Sequence, residues 1–194
     1  MLFADIRGFT QFSEQRLPYD VVFLLNRYFA EMGRAIEDAG GHLDKFIGDG
    51  VMALFGVDDG PARGARAALA AARAMGEALA VLNRSLSSGL ERELKLGIGV
   101  HIGPAIVGEM GYGRAVSLTA IGDAVNTASR LESLTKDFAA ELVVSDAVAR
   151  AAGTDLSAFP SHEATVRGRE GTLAVRALTH AGDVPSPPDL RGRR

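Results

Sequence analysis

The chain has no cysteine and no tryptophan, and aromatic residues make up only 6% of it. Without thiols, disulfides, zinc fingers, iron–sulfur clusters and cysteine nucleophiles are all excluded. Long apolar runs are missing too. None reaches the roughly 18–20 residues that a membrane-spanning helix needs. Nor is there an excess of one charge: 21 Lys and Arg stand against 24 Asp and Glu, a formal net charge of −3. That balance argues against nucleic-acid binding or a polybasic membrane anchor as the main role. No secretory leader is visible, because Met1 runs almost directly into the acidic Asp5. What remains is an ordinary globular composition, 47% hydrophobic and 23% charged over 194 residues. That is enough chain for one domain with a substantial core.

Residues 1–6 read as a short apolar strand. It begins abruptly, as if the chain were cut from something longer. Between 9 and 39, apolar residues recur at helical spacing, among them Phe12, Leu24, Tyr28, Met32 and Ile36. Pro18 divides this stretch into two helices, and Gly40-Gly41 ends the second. Runs at 42–47 and 51–55, joined by Gly48-Asp49-Gly50, predict a β-hairpin. The alanine-rich stretch 61–86 predicts a long helix. Further strands are expected at 94–102, 105–110, 116–120 and 141–145, helices at 125–135 and 147–152, and a last strand pair at 164–167 and 172–178. Residues 182–194, rich in proline and arginine, read as a flexible, solvated tail, which leaves 1–181 as the domain. Hairpins mixed with crossover helices predict an α+β layer, a mixed or antiparallel sheet with helices on one face. A Rossmann fold is excluded, since Gly103 and Gly108 have the wrong spacing for its fingerprint and no helix follows them.

Two aspartates carry the first chemical hint. Asp5 ends the first strand, just before Arg7-Gly8-Phe9-Thr10 turns into a helix, and Asp49 lies at the hairpin tip. If the first strand pairs beside the hairpin, both carboxylates project from one region of the sheet. Hard oxygen donors near a helix N-terminus suit a divalent cation plus phosphate. The plain alternatives stay open: an aspartate before a helix is often a cap, and Asp-Gly in a hairpin is often only a turn.

Three segments narrow the reading. Phe3-Ala4-Asp5-Ile6-Arg7-Gly8-Phe9-Thr10, Lys45-Phe-Ile-Gly-Asp49-Gly and Gly122-Asp-Ala-Val-Asn126-Thr-Ala-Ser-Arg130 occur in this order. Together they closely resemble the catalytic domain of class III nucleotidyl cyclases, over roughly residues 1–180. The resemblance implies a ferredoxin-like cyclase homology domain, mostly antiparallel, that makes 3′,5′-cyclic nucleotides with release of pyrophosphate. It implies that Asp5, Asp49 and the backbone carbonyl of Ile6 bind two divalent cations, Mg²⁺ or Mn²⁺. It implies that Asn126 orients the ribose and that Arg130 meets the charge on the transferring phosphate. Amides around Phe9 and Thr10, and Arg167, would hold the triphosphate. Lys45 and Thr119 match the purine-selecting pair: the lysine donates to adenine N1 and the hydroxyl accepts from N6. ATP is therefore the expected substrate. Threonine at this position also marks a family subgroup often stimulated by bicarbonate. One departure stands out: Gly97 falls where many relatives carry a phosphate-contacting arginine, with Lys95 nearby. His101 reads as a core or edge histidine without chemistry.

In the family two domains pair head-to-tail, one supplying Asp5 and Asp49, the other Lys45, Thr119, Asn126, Arg130 and Arg167. This chain has both sets, which implies a homodimer with two complete sites. The alternatives are a guanylate cyclase and a catalytically weak or regulatory cyclase-like dimerisation module. A diguanylate cyclase is rejected because its characteristic turn is absent. The expected location is cytoplasmic, with an upstream sensor or membrane module in the parent protein, and the alanine and arginine content points to a bacterial source.

Overall fold

Leu2, Ala4 and Ile6 are buried and alternate with Phe3 and Asp5. This period-two pattern makes the segment a strand with two different faces. In the computed structural model, which describes residues 1–86, 92–113, 115–166 and 171–186, that strand is β1 (Leu2–Ile6). It is followed by α1 (Phe9–Glu14), α2 (Pro18–Asp38), β2 (His42–Ile47), β3 (Gly50–Leu54), α3 (Pro61–Leu86) and β4 (Leu96–Val100). Then come β5 (Ile106–Tyr112), β6 (Ala115–Ile121), α4 (Asp123–Leu134), β7 (Leu142–Ser145), α5 (Asp146–Ala152), β8 (Ser161–Thr165) and β9 (Thr172–Leu178). The main sheet runs β2-β3-β1-β4-β7-β9-β8. Among the described residues its pairings are antiparallel, apart from β4 with β7. The mixed, mostly antiparallel α+β architecture is the one expected from the sequence.

Pro18 opens α2, as its missing N–H and fixed φ favour. Buried Leu24, Tyr28, Met32 and Ile36 of α2 join Ala68, Ala72, Met75 and Leu79 of α3 in one core, with Leu2, Ala4, Leu96 and Ile98 of the sheet below them. The alanines let α2 and α3 sit close to the strands and to each other.

Three features differ from the expectations. First, β5 and β6 leave the main sheet and form a two-stranded ribbon of their own. Gly103-Pro104 interrupts the ladder after β4, because proline has no N–H to give it. Second, β8 spans Ser161–Thr165, not 164–167, and pairs there with β9; residues 167–170 lie outside the described set. Third, the helices do not share one face. Gly97 and Gly99 pair with Asp5 and Phe3 on the face opposite the α2–α3 core, and α4 packs there. A Cβ on Gly99 would lie 2.2 Å from the Glu132 nitrogen and 2.3 Å from the Ala128 carbonyl oxygen. Gly99→Ala should therefore push α4 off the sheet and cost about 1–3 kcal/mol or somewhat more, as overpacking against backbone does. Urea unfolding would measure the loss.

At the C-terminal end, residues from Gly182 on were expected to be solvated. A 3₁₀ turn (Ala181–Asp183) instead packs on α3, and Val184 is buried. Residues 187–194 lie outside the described set.

Candidate active site

The β1–β3 register pairs Ala4 with Val51. One step further along, Asp5 comes opposite Gly50, beside the loop residue Asp49. The hairpin loop has two residues, since Ile47 pairs with Gly50. Gly48 has φ 64° and Asp49 is not in the left-handed region, the pattern of a II′ turn with glycine first. A Cβ on Gly50 would lie 3.3 Å from the Ala4 carbonyl oxygen, so a side chain here would press the two strands apart by a few tenths of an ångström.

The Asp5 and Asp49 side chains consequently meet within hydrogen-bonding reach. Burial is the main force on Asp5. Together with the hydrogen bond and charge of Asp49 it raises the Asp5 pKa to about 8, while the Ile6 N–H, bonded to the same group, pulls it down. Oδ1 of Asp5 is buried without a hydrogen-bond partner. Two crowded, half-desolvated carboxyls with an unused oxygen are a donor set that a hard divalent cation fits. Ile6 has its side chain in the core, so only its backbone can take part. Among the described residues no group of three or more metal-binding side chains forms.

Three neighbours were not singled out from the sequence. Glu132 of α4 lies close enough to raise the pKa of Asp5, and its own pKa is raised by burial. Tyr28 is fully buried, its hydroxyl has no partner, and burial together with the Asp5, Asp49 and Glu132 charges pushes its pKa well up. The Arg7 guanidinium donates to the backbone carbonyls of Thr135 (2.8 Å) and Ala140, tying the end of β1 to the end of α4. None of these contacts has a local sequence pattern. The departure at Gly97 also has a structural reason. A Cβ there would lie 2.6 Å from Thr135 Oγ1 and 2.7 Å from Glu132 Oε1, so α4 fills the space an arginine would need. Lys95 is exposed just before β4, its carbonyl accepting from the Arg7 N–H at 2.8 Å.

Lys45 and Thr119, 74 positions apart, meet directly: Lys45 Nζ donates to Thr119 Oγ1 at 3.1 Å. Asp44 completes the group. Its Oδ2 accepts from the Thr119 hydroxyl, and its Oδ1 lies 3.4 Å from Lys45 Nζ. Adjacent strand residues normally face opposite sides. Here a register shift between Leu43 and Lys45 marks a β-bulge at Asp44, which re-aims one side chain so that both reach Thr119.

Asn126 and Arg130 share one side of α4, as their four-residue spacing predicted. The buried residues of α4 are Ala124, Thr127, Ala128 and Leu131. Glu132, which faces the Asp5–Asp49 pair, is about 160° around the helix from Arg130 and about 120° from Asn126. Asn126 is exposed. The structure thus brings together Asp5, Asp49 and the Ile6 backbone, and separately Lys45 and Thr119, while Asn126 and Arg130 point away from the aspartates of their own chain. Phe9 packs on the core and stacks on Phe12. Thr10 is exposed in the first turn of α1, which no side chain caps. Arg167 lies outside the described residues. His101 is buried, with Nδ1 2.9 Å from Ser145 Oγ, a core histidine as expected.

Residues 1–178 match the family described as adenylate and guanylate cyclase catalytic domain. An adenylate cyclase of Anabaena cylindrica is 44% identical over 155 residues, 77% of this chain. This chain spans only 30% of that protein's length. Among solved structures, the guanylyl cyclase Cya2 superposes with a TM-score of 0.83 at 30% identity, covering 97% of this chain and 93% of that one. The adenylyl cyclase CyaB from P. aeruginosa superposes at 0.79 and 30% identity, covering 91% of each chain. The chain belongs to the adenylate and guanylate cyclase catalytic domain family. Members of this family normally use divalent metals. The backbone resembles guanylyl and adenylyl cyclases alike, so the choice of base has to be argued from side chains.

Proposed function

We propose that this domain converts ATP to 3′,5′-cyclic AMP and pyrophosphate, in a homodimer that shares its two sites. The observation that carries this reading is the meeting of Asp5 and Asp49 at the sheet end with a buried, unused carboxyl oxygen. In the reaction the ribose 3′-oxygen bonds to the α-phosphorus. The bond from that phosphorus to the oxygen bridging to the β-phosphate breaks, and the 3′-hydroxyl loses its proton. Two divalent cations, Mg²⁺ or Mn²⁺, are assigned to Asp5, Asp49 and the Ile6 carbonyl. Bound there they would supply charge for the triphosphate and acidify the 3′-hydroxyl.

The chain's own groups do the positioning. First-turn amides of α1 around Phe9 and Thr10 receive phosphate oxygens. The Asn126 amide orients the ribose, and the Arg130 guanidinium stabilises charge on the transferring phosphate. Arg167 is assigned to the triphosphate. Lys45 donates to adenine N1, and Thr119 accepts from the N6 amino group. Guanine would turn an N1–H toward Lys45, a mispairing that costs about 1–3 kcal/mol.

Support for the dimer comes from two sides. Asn126 and Arg130 face away from the same chain's aspartates, which supports a second copy bringing them to a site. Apolar side chains stand in solvent on the β5–β6 ribbon, with Ile106 73%, Tyr112 93% and Ile121 60% exposed. Residues of this kind mark an interaction surface. A regulatory, inactive module is the second reading, but such domains lose a metal-binding aspartate or the arginine, and Asp5, Asp49, Asn126 and Arg130 are all present. Among the described residues no helix is long and apolar enough to cross a membrane; a nucleoside triphosphate substrate supports a cytoplasmic location for the domain.

Purified protein given ATP and Mn²⁺ should form cyclic AMP, with kcat/KM at least about tenfold higher for ATP than for GTP. Binding of ATP without any cyclic product would favour the regulatory module. A preference for GTP would overturn the base assignment.

A further inference from the structure

We infer that Asp44 is a positioning residue for base selection: it fixes the Thr119 hydroxyl as an acceptor toward the bound purine. This rests on the proposed ATP cyclase activity and extends it to a residue outside the purine-selecting pair.

A threonine hydroxyl has one proton and two lone pairs. Left free, it can donate to the O6 of guanine as readily as it accepts from the N6 of adenine, so by itself it selects weakly. In this structure its proton is committed. Thr119 Oγ1 donates to Asp44 Oδ2. One lone pair is occupied by Lys45 Nζ at 3.1 Å. The lone pair that remains can only accept, and the exocyclic amino group of adenine supplies the matching donor.

Asp44 is built into this place. Its side chain is wholly buried, and Thr119 is only 8% exposed, so neither hydroxyl nor carboxylate is free to turn to bulk water. Oδ1 of Asp44 lies 3.4 Å from Lys45 Nζ, which holds the lysine head beside Thr119 with N–H groups left over for adenine N1. The β-bulge at Asp44 is what puts its carboxylate on the same side as Lys45. The same geometry shows why a hydroxyl suits position 119: an aspartate there would face the Asp44 carboxylate at hydrogen-bond distance with no proton between them.

The test is the ratio of kcat/KM for ATP to that for ITP, which carries O6 and N1–H without the guanine amino group. In Asp44→Ala the freed hydroxyl donates to O6, and the ATP:ITP ratio should fall about tenfold, the scale of one hydrogen bond's discrimination. If alanine leaves a cavity that unfolds the hairpin, Asp44→Leu fills it and removes the same acceptor. In a Thr119→Val background the Asp44 substitution should move the ratio far less, because the hydroxyl is gone and only the contact of Asp44 with Lys45 remains. Asp44→Asn combined with Thr119→Asp should be more active on ATP than Thr119→Asp alone. A role limited to holding the hairpin would lower both substrates together. An unchanged ATP:ITP ratio in a folded, active Asp44 variant therefore overturns the inference while leaving the ATP reading intact. Wild-type protein that makes no cyclic AMP, or prefers GTP, overturns both.

Discussion

Replacing Asp49 with asparagine should reduce cyclic AMP formation by more than about a hundredfold, since even residues that only support a metal ligand cost about 10–100-fold. Asp5→Asn should do the same. The two variants separate activity from stability, because the pair is costly to the fold. Burial and the adjacent Asp49 raise the Asp5 pKa from 3.8 to about 8. The folded protein therefore keeps a proton there that the unfolded chain has released. With a raised folded pKa, the contribution of Asp5 to stability is complete below about pH 4 and is lost as pH climbs through 8. In EDTA the wild-type Tm should therefore decline over this range relative to that of Asp5→Asn. Cation binding must displace the same proton, so added Mn²⁺ should raise the wild-type Tm more at pH 8 than at pH 5. Asp5→Asn protein should respond to Mn²⁺ weakly at either pH. A variant that loses activity yet keeps the full Mn²⁺ shift would place the metal somewhere else.

The second large effect is rescue by mixing. Asp49→Ala and Asn126→Ala proteins should each be inactive. After subunit exchange of equal amounts, half of the dimers contain one chain of each kind. In such a dimer one site takes Asp49 from the second protein and Asn126 from the first, and is intact, while the other site lacks both. Activity should return to about a quarter of wild type. The basis is the angular separation on α4: Glu132 faces the aspartates, and Asn126 and Arg130 face elsewhere. Absence of rescue, with exchange shown by a labelled subunit, would mean that each site is built within one chain.

Much of the Asp5–Asp49 geometry could be read from local chemistry. Gly48-Asp49-Gly50 between two apolar runs demands a tight hairpin, and the alternation of Leu2, Ala4 and Ile6 puts Asp5 on the face away from the core. Lys45 and Thr119 required the family resemblance to be paired at all, because 74 residues separate them. Asp44 was missed because strand alternation assigns it to the opposite face from Lys45, and a bulge is not visible in that alternation. Glu132 was missed because its neighbours are reached only through the docking of α4 on Gly97 and Gly99.

By itself the sequence determined the helices and strands apart from the bounds of β8 and the closing 3₁₀ turn, the hairpin that carries Asp49, and the i, i+4 pairing of Asn126 with Arg130. These follow from backbone sterics and side-chain periodicity over a few residues. Tertiary structure decided which sheet face α4 covers, that β5 and β6 stand apart as a ribbon, and which carboxylate sits behind Thr119. Each of these depends on strand register and on close packing between segments far apart in the chain. A one-residue bulge or a missing Cβ changes that outcome without altering the local pattern.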